Sequence, residues 1–204
     1  MKHVQGDFCQ ILSQLNDQDA RLISARDEAY IRIKTAGKVD IGKSSGTWCL
    51  HGVEYKPFNH YPLLRRESRL LDPKLASQAV DANRNNKYFS TNSTKEYEES
   101  LAIAKEDRNK APKERRIIIL PPLTRVTISP RQSSEILEFL LQDLAEEYYK
   151  FNGSKSIILY LINSETINQY KGTVLTQFWF WDRNNNSDFD GSRRILNCNC
   201  FSRG

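Results

Sequence analysis

Near its C-terminal end the chain reads Thr173-Val174-Leu175-Thr176-Gln177-Phe178-Trp179-Phe180-Trp181. This density of β-branched and aromatic residues predicts a strand. A second strand-like run covers residues 193–201, and the stretch between the two, 182–192, is polar. The pattern therefore predicts a closing hairpin with a long polar tip.

The residues before this hairpin carry both strand and helix signals. Residues 117–120, 123–128 and 156–162 are β-rich runs. Between the second and the third of these runs, apolar residues recur at helical spacing, which predicts one helix over residues 129–151.

The N-terminal part shows the same mixture. Residues 7–15 place their apolar side chains on one helical face, and residues 20–24, 29–34 and 47–55 alternate apolar with polar side chains. The alternating runs predict an antiparallel meander. We therefore expect an α+β fold, mainly an antiparallel sheet with helices packed on one face.

The middle third, residues 61–125, is less regular. Asp72 followed by Pro73 predicts the start of a helix, because Pro lacks an N–H that would be unpaired at that position. Ser93 and Glu96 have the spacing of a capping box, which predicts a second helix.

The positive charge is concentrated in that middle third. The formal net charge is +5, and it divides into +1 for residues 1–60, +5 for 61–125 and −1 for 126–204. These ranges also describe the organisation: a helix plus β-meander, a basic, partly irregular insertion, and a helix plus β-hairpin, all within one composite domain. A local basic excess favours a polyanionic partner such as nucleic acid, and the alternative is a solvated basic face.

Composition excludes several classes of protein. Hydrophobic residues make up 39% of the chain, no apolar run is long enough for a membrane span, and the first residues lack the apolar core of a signal peptide. We expect a soluble, cytoplasmic protein. The four cysteines have no disulfide or zinc spacing and are interpreted as reduced thiols; they are Cys9, Cys49, Cys198 and Cys200.

One segment matches the phosphate-loop pattern GxxxxGK[ST] through Gly37, Gly42, Lys43 and Ser44. In that motif, backbone N–H groups and the Lys hold the phosphates of a nucleotide. A strand must precede the loop and a helix must follow it, because the helix N-terminus completes the anion site. The residues after Ser44 have a strand-like pattern instead, so nucleotide binding stays an alternative.

Signals for metal binding and catalysis are weak. Residues 186–191 match the start of a calcium loop, but Asn197 stands where the bidentate Glu belongs, so we interpret the segment as a polar hairpin tip. The histidines His3, His51 and His60 have no nucleophile signature around them. The sequence therefore predicts no metal site, no cofactor and no catalytic residue.

Basic clusters and aromatic residues are the remaining signal. Arginine binds phosphate through its bidentate fork, so we predict that two clusters face a nucleic-acid backbone. Trp179 and Trp181 offer a stacking platform or a partner contact if their face of the strand is open, and core packing otherwise. The clusters are Arg65, Arg66 and Arg69, and Lys113, Arg115 and Arg116.

Two stretches resemble the small accessory subunits of type III-D CRISPR effector complexes. The first is Ala20-Arg21-Leu22-Ile23-Ser24-Ala25-Arg26-Asp27-Glu28-Ala29-Tyr30-Ile31-Arg32-Ile33, and the second joins residues 177–181 to 194–203. The resemblance implies a non-catalytic α+β subunit of an antiviral guide-RNA particle, which packs on other proteins. It assigns no site residue.

Three hypotheses follow. The first is a non-catalytic, RNA-associated subunit of a ribonucleoprotein complex, which binds the nucleic-acid backbone and neighbouring protein subunits. The second is a nucleotide-binding enzyme that uses residues 37–44. The third is a protein-only adaptor, which would expose Trp179 or Trp181.

Overall fold

The computed structural model describes residues 3–35, 46–183, 186–192, 194, 196 and 200–203. The helices are α1 (Phe8–Asn16), α2 (Ala25–Lys34), α3 (Pro73–Arg84), α4 (Lys95–Glu106), α5 (Ser134–Leu141), α6 (Ala145–Phe151) and α7 (Ser164–Ile167). The strands are β1 (His3–Gly6), β2 (Thr47–Lys56), β3 (Asn59–Arg65), β4 (Phe89–Ser90), β5 (Ile117–Ile119), β6 (Arg125–Ile128), β7 (Ile157–Tyr160), β8 (Val174–Arg183), β9 (Asn186–Asp190) and β10 (Cys200–Arg203). No helix within these ranges is long and apolar enough to cross a membrane.

The main sheet is mixed and mostly antiparallel. Its order is β5-β3-β2-β8-β9-β7-β6, and β4 pairs with β8. The pairing of β7 with β9 is parallel, and the other pairings are antiparallel. A separate pair joins β1 to β10, which brings the two ends of the described chain together. The architecture confirms an α+β fold with a mainly antiparallel sheet.

The helix predicted over residues 7–15 and the helix start predicted at Asp72 are both confirmed. Asp7 and Gln10 form a capping box at the start of α1, and each side chain accepts a hydrogen bond from the other residue's backbone N–H. Asp72 accepts hydrogen bonds from the backbone of Lys74 and Leu75 at 3.0 Å, with Pro73 in the first turn of α3. At α4 the N-cap position is occupied by Thr94, one residue later than the sequence predicts.

The predicted strand over residues 29–34 is wrong, because these residues belong to helix α2. Ser24 caps the helix by accepting a hydrogen bond from the backbone N–H of Asp27 at 3.0 Å. The buried side chains include Glu28 and Arg32, which form an ion pair at 2.9 Å. A buried face that contains two charged residues carries no hydrophobic periodicity, so the sequence pattern resembles an alternating strand.

The predicted helix over residues 129–151 begins later and is interrupted. It consists of α5 and α6, and Gln142 between them has a φ of 54°. A positive φ at a non-glycine residue ends regular helical geometry, although the apolar spacing continues through it.

The predicted partner of the aromatic strand is also wrong. Strand β8 pairs with β9, and β10 pairs with β1. The polar residues of β9 resemble a turn in the sequence, but Phe189 is fully buried and Asp188 accepts a hydrogen bond from the backbone of Ile158 at 3.1 Å. The calcium-loop pattern falls on this strand, and among the described residues no cluster of three or more potential ligands is placed to hold a metal ion.

Helices contact both faces of β8, in place of the single face that the sequence predicts. Phe178 and Phe180 belong to a core shared with α2, α5 and α6. Leu175 and Trp179 belong to a second core shared with α1 and α3. Because successive residues of a strand point to opposite faces, the two cores lie on opposite sides of the sheet.

Candidate functional site

The first basic cluster bonds largely within the chain. Glu54 is 1% exposed, and its Oε1 lies 3.0 Å from Nε of Arg69 and 3.3 Å from Nε of Arg65. Arg65 also donates to the hydroxyl of Ser100 on α4 at 2.8 Å. Burial raises the pKa of Glu54, against the opposing effect of the nearby hydroxyl and the two guanidinium groups. This cluster therefore joins β2, β3 and α4 around one buried carboxylate.

Arg66 holds the segment that precedes β5. Its guanidinium lies 4.6 Å from the centre of the Phe139 ring, and it donates to the carbonyl of Arg115 at 3.1 Å and to that of Lys113 at 2.9 Å. Burial lowers its pKa. The Arg66 side chain packs against Phe139 of α5, so only part of it faces solvent.

The second basic cluster is also partnered. Nε and Nη2 of Arg116 each lie 2.9 Å from the carboxylate of Asp107, which also accepts from Nζ of Lys110 at 2.7 Å. These hydrogen bonds lower the pKa of Asp107. Arg115 pairs with Glu135, whereas Lys113 is exposed. Five of the six predicted phosphate-binding residues therefore have carboxylate or carbonyl partners inside the chain.

The structure describes the side chain of one of the two predicted tryptophans. Trp179 is 2% exposed and packs edge-on against Trp48, with ring centroids 4.4 Å apart. It lies in the core that includes α1 and α3. The side chain of Trp181 is outside the described residues.

The phosphate-loop pattern also lies outside the described residues, at Gly37, Gly42, Lys43 and Ser44. The elements on either side of it are described: helix α2 precedes it and strand β2 follows it. A phosphate loop requires a strand before it and a helix after it. The surroundings therefore have the reverse order of the motif.

An exposed apolar surface lies at the tip of the β2–β3 hairpin, and we call Phe58, Tyr61 and Leu123 the hairpin-tip surface. Their exposed fractions are 79%, 53% and 55%. Tyr61 and Leu123 line a cleft of about 350 Å³, whose other walls include Thr124, Asn163 and Ile167. Exposed apolar side chains around a concave surface, here Tyr61 and Leu123, are a common feature of binding sites. Phe58 lies in the turn three residues before Tyr61.

The tip is held in place by polar contacts with neighbouring elements. Phe58 has a φ of 57°, and its backbone N–H donates to Oδ1 of Asn168 at 2.6 Å. The backbone carbonyl of Tyr61 accepts a hydrogen bond from the hydroxyl of Tyr97 at 2.6 Å, and Lys56 pairs with Glu98 of α4. Neighbouring elements thus fix the backbone that presents the exposed rings.

The sequence does not predict this surface. The segment from Lys56 onward shows no regular pattern, because Pro57 and Pro62 interrupt it. One local signal is Pro57, because proline favours the first central position of a β-turn; the second central position, where the structure has a φ of 57°, favours glycine or asparagine. The unusual residue at that position is Phe58.

Comparisons with known proteins concern the fold. No family model and no curated protein matches the chain. One solved structure that does match is described as the accommodation of massive sequence variation in Nanoarchaeota by the C-type lectin fold. The TM-score is 0.57, and the alignment covers 99% of this chain and 97% of that chain.

The chain is similar in fold to that C-type lectin domain. The two sequences are 11% identical. The likeness therefore shows a similar fold and gives no information about a ligand or a binding site. It does not test the resemblance to type III-D CRISPR subunits that was inferred from the sequence.

Proposed function

We propose that the chain is a non-catalytic binding module that docks another protein through the hairpin-tip surface. The observation that carries this proposal is Phe58, which is 79% exposed on a backbone with a φ of 57°. A bulky residue with positive φ costs on the order of 1 kcal/mol, and exposing its ring to water adds no packing. Function is a reason to keep phenylalanine where glycine would fit better.

A protein partner fits the chemistry of this surface. Tyrosine and phenylalanine offer large contact areas with few rotatable bonds, which is why aromatic residues dominate protein-binding hot spots. The neighbouring Thr124 and Asn163 supply hydrogen-bonding groups around the cleft. Because the backbone of the tip is already fixed, docking causes a smaller loss of conformational entropy.

The fold supports the same role. The matching structure is described as one that accommodates massive sequence variation by the C-type lectin fold. Binding residues are often carried on loops and turns that a rigid scaffold positions. We propose that the present chain uses its hairpin tip in this way.

A differential capture experiment tests the proposal. Wild-type protein, the double variant Phe58→Gly/Tyr61→Ser and the control Tyr30→Ser are used as bait in nuclease-treated extract from the source cells. Tyr30 is a suitable control because it is 46% exposed on α2, outside the hairpin-tip surface. The partner is then expressed, and its Kd is measured by isothermal titration.

We expect a protein that wild type and Tyr30→Ser retain and the double variant loses. Loss of two aromatic anchors should raise the Kd at least about 30-fold, since a single hot-spot residue already contributes on the order of 2 kcal/mol. Equal retention by all three baits would contradict docking at the hairpin-tip surface.

An RNA-associated role is the second candidate. One observation favours it: Lys105, Arg108 and Lys113 are exposed around the short turns that follow α4. In this second proposal, the chain is a subunit of a ribonucleoprotein particle, as the CRISPR resemblance implies.

Salt dependence of RNA binding tests that candidate. Replacing Lys105, Arg108 and Lys113 by alanine should weaken binding and flatten the plot of log K against log salt by up to about two units, because fewer counterions are released. Matched alanine variants of Lys74, Lys155 and Lys171, which are exposed elsewhere, should keep the wild-type slope. An unchanged slope in the first variant would remove these residues from any RNA contact.

A further inference from the structure

A second cleft lies apart from the hairpin-tip surface, between α1, α3 and the segment around Arg21. Its volume is about 500 Å³. This volume is within the range of roughly 300–1,000 Å³ that small-molecule sites occupy. None of the residues of the hairpin-tip surface lines it.

The floor and walls of this cleft are apolar. Leu15, Leu22 and Ala76 at its base are at most 2% exposed. Leu12 and Leu71 on its walls are partly buried hydrophobic residues that pack on the same core. An apolar side chain that enters the cleft is therefore removed from water, which favours binding by about 25 cal/mol per Å² of buried apolar surface.

The rim carries one positive and one negative charge. Nη1 of Arg21 lies 3.9 Å from Oε1 of Glu67, and the two side chains are 79% and 65% exposed. This distance is longer than a hydrogen bond, so both groups can still bond to a ligand. An exposed pair of this kind contributes little to stability, and separating the two groups therefore costs little.

We propose that this cleft binds a free α-amino acid with a large apolar side chain. The carboxylate of the ligand bonds to Arg21, its ammonium group bonds to Glu67, and its side chain enters the apolar cleft. The charges of such a ligand complement the rim, because an α-amino acid carries both charges on one carbon, next to an apolar group. A fatty acid would place its carboxylate close to Glu67, and an apolar amine would place its cation close to Arg21.

Isothermal titration with L-phenylalanine and three analogues tests the chemistry of the ligand. The analogues are 3-phenylpropionate, which lacks the ammonium group, phenethylamine, which lacks the carboxylate, and glycine, which lacks the side chain. We expect L-phenylalanine to bind at least about threefold more tightly than either one-charge analogue, since an exposed charge pair contributes up to about 1 kcal/mol. Its affinity should exceed that of glycine at least about tenfold, because glycine has no apolar side chain to bury. Equal affinity for phenylalanine and either one-charge analogue, or no heat with phenylalanine, would overturn the proposal.

Rim variants test the location. Arg21→Met and Glu67→Gln should each raise the Kd for phenylalanine at least about threefold. Lys95→Met is the matched control, because Lys95 and Glu99 form an exposed pair with the same separation of 3.9 Å on α4. The control should keep the wild-type Kd. Wild-type affinity in Arg21→Met would also overturn the proposal.

Cys9 gives a second measurement that does not depend on the rim. Its side chain lines the cleft and is partly buried, and burial raises the pKa of the thiol, so alkylation is slow near neutral pH. Peptide-resolved mass spectrometry at pH 8.5 should show that saturating phenylalanine slows alkylation of Cys9 at least about threefold, because a bound ligand blocks access to the thiolate. No protection at saturation would place the ligand elsewhere.

Discussion

His51 is a buried histidine whose environment keeps it neutral. It is 1% exposed, and its ring lies near those of Phe139 and Phe178, with centroid distances of 6.3 and 5.9 Å. Nδ1 lies 2.8 Å from the carbonyl of Arg66 and donates to it. Burial, helped by the charge of Arg66, lowers the pKa of His51 to about 4.

This pKa predicts a loss of stability in acid. The unfolded chain takes up the proton near pH 6.5 and the folded chain near pH 4, so the unfolded state binds more protons between these values. The free energy of unfolding should therefore fall by about 3 kcal/mol as the pH decreases through this window. Urea titrations of wild type and His51→Gln at pH 7, 5.5 and 4 measure it.

The difference in unfolding free energy between wild type and His51→Gln isolates the contribution of the histidine, because both proteins retain the same carboxylates. We expect the variant to be less stable than wild type at pH 7 and to lose less stability in acid. Parallel pH profiles would contradict a neutral, buried His51.

Glu54 shows the cost of removing one member of a buried charged cluster. Glu54→Gln would leave the guanidinium groups of Arg65 and Arg69, which are 21% and 24% exposed, without their shared anion. We expect the free energy of unfolding to fall by about 3 kcal/mol.

Glu99→Gln is the matched control for that substitution. Glu99 pairs with the same Arg69 at 3.2 Å but is 48% exposed, so its loss should cost less than about 1 kcal/mol. Chemical denaturation measures both variants. Equal costs would show that the buried position of Glu54 does not matter.

At the scale of the element, the residue at the turn of the β2–β3 hairpin that suits the proposed binding role differs from the residue that would best stabilise the fold. Phe58→Gly relieves the positive φ of 57° while glycine gains freedom in the unfolded chain, so the free energy of unfolding should stay level or rise by up to about 1 kcal/mol. Tyr30→Gly, on an ordinary helical backbone in α2, should lower it by about 1 kcal/mol. Thermal unfolding compares the two, and a marked loss in Phe58→Gly would mean that the ring stabilises the fold.

Elements could be predicted from sequence where the signal is local. The starts of α1 and α3 follow from Asp7 and Asp72, whose side chains bond to backbone groups within three residues. Helix α2 also begins at a local cap, Ser24, but its buried charges Glu28 and Arg32 interrupt the apolar spacing. Arg32 is stabilised by Glu28 and by Tyr148 of α6. Tertiary contacts of this kind outweigh local patterns.

At the scale of the whole molecule, the α+β class and the mainly antiparallel sheet could be predicted, and the strand pairing could not. The pairing of β10 with β1 joins residues about two hundred positions apart, and no local pattern encodes such a contact. The candidate site depends on the same long-range order: Phe58 bonds to Asn168, and Tyr61 and Leu123 meet across one cleft. The composition locates the excess of basic residues in the middle third of the chain. It does not reveal the carboxylates that pair with them, which are Glu54, Asp107 and Glu135.

The central claim is that a protein partner covers the hairpin-tip surface, and hydroxyl-radical footprinting of the free chain and the complex measures this directly. Phe58, Tyr61 and Leu123 should be oxidised readily in the free chain, given their exposure, and each should be protected at least about threefold in the complex, as expected for residues at the centre of an interface. Unchanged oxidation at these three residues, with protection confined to residues 105–113, would contradict the account and favour the RNA-associated role.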